Sequence, residues 1–283
     1  MKRTTIFFLL LTFGFQLWGQ SNSTKIAILN SPQKENVKPA VQKINDLKPT
    51  ATVFLGDLVS GSENDFLQYV FYLNWLEMPM YALCGNKDFS IFKADPQEAI
   101  SALMLPSPYY CETATSSDNS LWRLFFLNGS QLSLHAYKKN SIDYKFSKNQ
   151  KNKLYKKASN DCGGLGEKQL HWLQLELNKA EHNGEKAIIF CRFPLEASQG
   201  DTLWDHQELK NILAKFSCVK CYFSDASTAG LCDITKDNEV IVKAYGVPAH
   251  KLSDSPAFTT IQLEADKIII SESGNTEAFT VSF

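Results

Sequence analysis

Residues 81–89 read YALCGNKDF: an apolar strand, Tyr81 to Cys84, that stops at a Gly-Asn turn and runs on into Lys87, Asp88 and Phe89. Gly and Asn supply the backbone freedom such a stop requires. Upstream, KIAILN (Lys25–Asn30) and ATVFLGD (Ala51–Asp57) read as strands, and VKPAVQKINDL (Val37–Leu47) and NDFLQYVFYLNWLE (Asn64–Glu77) as helices. The order strand, helix, strand, helix, strand predicts a parallel sheet covered on both faces.

Past Pro108 the pattern changes. YYCETA and LWRLFFLNG read as neighbouring strands joined by the polar TSSDNS. The Lys/Asn/Ser-rich stretch 137–160 reads as an exposed excursion. The helix GEKQLHWLQLELNKAEH, the strand KAIIFCR, the helix DHQELKNILAKF and the strand VKCYFSD follow. The tail holds EVIVKAYG, AFTTIQLEA and KIIISESG, strands with no helix between them. One α/β (α+β) domain over residues 20–283, a two-sheet β-sandwich flanked by helices, accommodates both halves.

With 44% hydrophobic residues over 283 and a net charge of −1, the chain can bury a core. It carries no global charge that draws it to nucleic acid or to an anionic membrane. Residues 1–19, MKRTTIFFLLLTFGFQLWG, have a basic start, a short apolar run and a small residue at Gly19. This is the layout of a secretory signal peptide, and the apolar run falls short of the roughly 20 residues of a spanning helix. The expectation is export from a bacterial cytoplasm to the periplasm or exterior, with a retained anchor as the alternative. Seven cysteines leave at least one without a partner inside the chain. Cys218 and Cys221 have the C-x-x-C spacing but lack a second pair for zinc and lead into a strand, so core packing explains them better than metal or redox chemistry.

The stretches ILNSPQ, FLGDLVSG, MYALCGNKD, PYYCE…WRLFFLNG, GLGEKQLHWLQLEL, AIIFCRFPLE and YFSDASTAG occur in the order found in the calcineurin-like metallophosphoesterases. The chain most resembles their branch of manganese-dependent ADP-ribose and CDP-alcohol diphosphatases. The resemblance implies an αββα fold. It also implies a chemistry in which two divalent cations clamp a phosphate and activate a bridging water.

Carried over residue by residue, the resemblance implies a depleted site. Ser31 and Gln33 stand where the family has Asp and then His or Gln. Asp57 matches the bridging carboxylate and Asn86 the amide ligand, while Lys87 holds the place of the catalytic histidine. Arg192 replaces a histidine ligand, and Asp225 and Ser227 occupy the two histidine places of the last motif. None of His135, His171, His182, His206 and His250 falls at a motif position. Two fixed cations beside a dinuclear centre would meet repulsion of several kcal/mol at ~4 Å. The implied reading is a chain without two-metal catalysis and without a cofactor, or with manganese or another divalent metal if active.

Lys87 and Arg192 then have two possible roles. They pair with Asp57 and Asp225 as a structural cluster, or they keep donors free for a phosphate-containing small molecule. Three functions follow: a non-hydrolytic binding relative, a hydrolase with one metal held by Gln33, Asp57, Asn86 and Asp225, or a structural partner in a cell-envelope complex. Neither nucleic acid nor, after leader cleavage, membrane is an expected partner, and no protein partner is indicated.

Overall fold

The computed structural model describes residues 24–32, 34–58, 63–92, 94–116, 118–198, 201–250 and 258–283. The segment read as a leader and Gln33 lie outside them. In chain order the elements are β1 (Thr24–Leu29), α1 (Lys34–Leu47), β2 (Ala51–Phe54), α2 (Glu63–Leu73), β3 (Met80–Ala82), α3 (Asn86–Ile91) and α4 (Pro96–Ala102). Then come β4 (Tyr110–Thr115), β5 (Leu121–Leu127), β6 (Leu132–Ser133), α5 (Ile142–Leu154), β7 (Gly163–Gly164), α6 (Gly166–His182) and β8 (Lys186–Cys191). The last are α7 (His206–Leu213), β9 (Val219–Ala226), β10 (Gly230–Lys236), β11 (Glu239–Pro248), β12 (Thr259–Leu263), β13 (Lys267–Glu272) and β14 (Ala278–Ser282).

Two mixed six-stranded sheets form the α/β sandwich expected from the sequence, one in the order β14-β13-β12-β1-β2-β3 and the other β10-β11-β9-β8-β5-β4. The runs β1-β2-β3 and β5-β8-β9-β11 are parallel. The crossovers from β1 to β2, β2 to β3, β5 to β8 and β8 to β9 hold helices, and strands such as β2 and β8 are accordingly apolar in runs instead of alternating. Ile26, Ile28 and Val53 of the first sheet meet Leu124, Phe126, Ile188, Phe190 and Phe223 of the second in a shared core. Leu173 and Leu177 of α6 and Leu209 of α7 cover the other face of the second sheet, while Val41 and Ile44 of α1 cover that of the first. Two strands at sheet edges, β10 and β14, go beyond the sequence reading. The 137–160 excursion contains the 13-residue helix α5, capped at its start by Ser141 Oγ, which accepts from Tyr144 N.

Two charged contacts fix the helical layer that covers the second sheet. Arg123 on β5 donates from Nε and Nη2 to both oxygens of Glu185, at 2.6 and 2.9 Å, and from Nη1 to Glu176 on α6. The Asp205 carboxylate accepts from Leu165 N and Gly166 N, at 3.0 and 2.8 Å, and so fixes the start of α6. Burial lifts the Asp205 pKa from the ordinary 3.8 to about 6 against the pull of those two N–H groups.

Substituting Arg123→Ala leaves buried Glu185 without its cation, so urea denaturation should show a loss of about 3–5 kcal/mol. The raised Asp205 pKa means that the folded state holds this proton more tightly than the unfolded chain. Its contribution is complete below about pH 4 and lost as pH rises through about 6. The stability difference between the native protein and Asp205→Asn should therefore vary across this window and level off on either side, as read from denaturation curves at a series of pH values.

Candidate functional site

The carboxyl ends of the parallel strands of both sheets converge on one cavity of about 410 Å³, as expected where crossover loops leave strand ends. The first sheet contributes Asp57 after β2 and Asn86 with Lys87 after β3, with Asn30 and Ser31 after β1 standing behind Arg192. The second contributes Arg192 after β8 and Asp225 near the end of β9. The backbone is forced into unusual shapes here: Ser31 has φ +42 and Asp57 φ +50, a region costing roughly 1–2 kcal/mol for a residue with a Cβ. Gly56 takes φ +87, and a Cβ there would stand 2.9 Å from Gly85 N. A Cβ on Gly85 would stand 2.2 Å from Asp57 Oδ1. Gly85 makes room for the Asp57 carboxylate, and Gly56 lets the backbone at Gly85 approach.

Arg192 lies at the centre. Its Nη2 donates to Asp57 Oδ2 at 2.9 Å and is 3.3 Å from Asp225 Oδ2. Its Nη1 donates to Asn30 Oδ1 at 2.6 Å and to Ser31 Oγ at 2.9 Å. Asn30 Nδ2 closes the ring by donating to Asp225 Oδ1 at 2.6 Å and to Val247 O at 2.7 Å. Asp57 Oδ1 accepts from Lys87 N at 3.0 Å. Each of the four carboxylate oxygens thus already accepts an N–H from the chain, or in one case lies against one. Both terminal nitrogens of Arg192 face protein oxygens, and the side chain is buried. Lys87 differs. Its side chain is 51% exposed, and Nζ is 3.9 Å from Asp57 Oδ2.

The remaining lining mixes polar and acidic residues with Phe193 and Pro194. Asn86 Nδ2 donates to Asp161 O and its Oδ1 accepts from Ser130 Oγ at 3.4 Å. His135 Nε2 is 3.3 Å from Asp161 Oδ1, and Asp161 and Asp201 stand exposed at the rim. Cys162 lines the cavity, but burial and then the nearby Asp201 and Asp161 push its thiol up to about 12. It stays protonated and is no nucleophile. All seven cysteines are free thiols.

Of the positions singled out in the sequence, Asp57, Asn86, Lys87, Arg192 and Asp225 line this cavity, and Ser31 supports Arg192 from behind. Ser227 is exposed just past β9 and is not part of the lining. Gln33 lies outside the described residues. Sequence reasoning missed Asn30 and His250. Nothing in a strand-terminal Asn or a histidine far from any motif marks them, yet Asn30 N donates to His250 Nδ1 and His250 N to Asn30 O, both at 3.0 Å.

The donor set does not fit a two-metal centre. A guanidinium occupies the space between the two carboxylates. A divalent cation ~4 Å from it would face roughly 8 kcal/mol of repulsion at an effective dielectric of ~20. Among the described residues no grouping of three or more His, Cys, Asp or Glu is placed to hold a metal.

No family model matches the chain. It is 26% identical over 127 residues to the manganese-dependent ADP-ribose/CDP-alcohol diphosphatase of Danio rerio, covering 43% of this chain and 38% of that protein. The protein of the same description from Homo sapiens is 26% identical over 115 residues, 40% and 33% of the two chains. The one from Arabidopsis thaliana is 37% identical over 65 residues, 22% and 21%. Each match thus spans well under half of the relative's length. The crystal structure of a dimetal phosphatase from Danio rerio superimposes with a TM-score of 0.76 at 17% identity, covering 92% of this chain and 98% of that one. The chain is distantly similar, over part of its length, to manganese-dependent ADP-ribose/CDP-alcohol diphosphatases and shares the fold of a dimetal phosphatase.

Proposed function

We propose that this chain is an exported metallophosphoesterase-fold protein in which an arginine-centred ion-pair cluster takes the place of two-metal hydrolysis. Its cavity holds a phosphate-bearing small molecule without cleaving it. The observation that carries this reading is the position of Arg192, whose Nη2 lies within 2.9 and 3.3 Å of the two carboxylates. A charge of +1 is thereby fixed between the two carboxylates, whereas the relatives are manganese-dependent. Lys87 supplies the ligand contact. Its ammonium is half exposed and makes one long contact with Asp57, which leaves N–H donors for a phosphate oxygen. Asp161 and Asp201 at the rim favour a ligand whose remainder carries hydrogen-bond donors.

A second reading has one support: Asp57, Asn86 and Asp225 line the same cavity. In that reading the chain is a phosphodiester or pyrophosphate hydrolase with a single metal. Metal analysis by mass spectrometry, with titration calorimetry of manganese, inorganic phosphate and ADP-ribose, separates the two. Metal far below one equivalent, heat from a phosphate ligand and none from manganese support binding without hydrolysis. One bound manganese, with chelator-sensitive turnover of bis-p-nitrophenyl phosphate, establishes the hydrolase and overturns our reading.

Two substitutions sharpen the test. Arg192→Ala strips Asp57 and Asp225 of their shared cation. It should cost about 3–5 kcal/mol in urea denaturation and confer a manganese heat that the native protein lacks. Lys87→Ala should abolish the phosphate heat while leaving the denaturation midpoint unchanged, because the removed group is half exposed and holds no short contact.

A further inference from the structure

Residues 138–157 hold eight lysines, Lys138, Lys139, Lys145, Lys148, Lys151, Lys153, Lys156 and Lys157, against one acid, Asp143. The segment carries 8 − 1 = +7. With the whole chain at 29 − 30 = −1, everything else carries −8. Among the described residues Lys138 has a carboxylate partner, Asp95 at 3.2 Å, whereas the other seven have none, and six of those seven are exposed.

The helix at the centre of this segment is amphipathic in an uncommon sense. On α5, Tyr144, Ser147 and Lys151 turn inward, with Ser147 and Lys151 buried. The outward face carries Ile142 and Phe146, one turn apart and 85% and 53% exposed, alongside Lys145 and Lys153. Lysines alone would make a solvated face. Apolar side chains standing among them need an occupant that accepts both hydrocarbon and cations.

We propose that the outward face of α5 docks on an anionic lipid surface. Ile142 and Phe146 enter the boundary between headgroups and acyl chains, and the lysines neutralise lipid phosphates. Charge complementarity selects the surface, and the two apolar side chains select a bilayer over nucleic acid, whose phosphate backbone offers them nothing. The proposal is independent of the ligand assigned to the cavity. It gives the cavity a setting, however: the chain leaving α5 at Leu154 reaches the cavity rim at Asp161 within ~25 Å of chain.

The test uses the protein from Gln20, which retains every residue of the three apolar cores. It is sedimented with vesicles of phosphatidylcholine, alone or mixed with phosphatidylglycerol. We expect binding to the mixed vesicles only, weakening as salt rises. Lys145→Glu/Lys153→Glu should bind about tenfold or more weakly. Ile142→Ser/Phe146→Ser should weaken binding about tenfold at unchanged charge. All four positions are exposed, so circular dichroism should show each variant folded. Failure to bind the mixed vesicles overturns the proposal. So does binding indifferent to the Ile142 and Phe146 changes, or tighter binding to a single-stranded oligonucleotide than to the vesicles.

Discussion

The Arg192 guanidinium, held between Asp57 and Asp225, is the contact on which the arrangement of the cavity depends. Two carboxylates brought together by the strand ends of two different sheets repel each other, and burial makes that repulsion worse. A divalent ion between them would resolve it, and so does a cation delivered by the chain. The two solutions are not equivalent. A metal exchanges with solvent and activates water, whereas a guanidinium is a permanent part of the fold, here with both terminal nitrogens facing protein oxygens. The contact also joins the two sheets, because Asp57 belongs to the first and Arg192 to the second.

Much of the fold was legible because parallel strands buried on both faces leave uninterrupted apolar runs, as in KAIIFC and ATVF. Where burial is one-sided the pattern thins. β10, GLCDITK, and β14, AFTVS, are edge strands whose polar residues face outward, and no turn signal separates them clearly from loop. Helix α5 was legible only as a polar excursion. Its inward face rests on Tyr144, Ser147 and the stem of Lys151 instead of an aliphatic stripe, so the usual period of apolar residues is missing.

The site was legible where charged residues fall at positions that the resemblance marks. Asp57, Lys87, Arg192 and Asp225 were reached through the family resemblance, position by position, and the fold places them on one cavity. Asn30 could not be found this way, because its role is to use both ends of its amide at once, accepting from Arg192 and donating to Asp225. That geometry exists only after β1 and β9 have been placed. The composition misleads in a related manner. A net charge of −1 averages a segment at +7 with a remainder at −8, so the absence of a global pull says nothing about a local one.

The precision of the Arg192 cluster has its source one layer further in. Asn30 N donates to His250 Nδ1, which leaves His250 Nε2 facing Thr259 Oγ1 at 3.5 Å and Glu272 Oε2 at 3.8 Å. Glu272 Oε1 accepts from the Tyr245 hydroxyl and from Thr259 Oγ1, both at 2.7 Å. Burial, reinforced by Glu272, pushes the Tyr245 phenol well up, so that its hydroxyl remains a donor. These residues sit on β11, β12 and β13 or next to them, and all are buried. A network of this kind rigidifies the backbone it bonds to. The backbone it bonds to here is Asn30, the residue that orients Arg192 toward Asp225. Core polar groups one layer behind the cavity thus hold the backbone of the residue whose side chain accepts from the guanidinium.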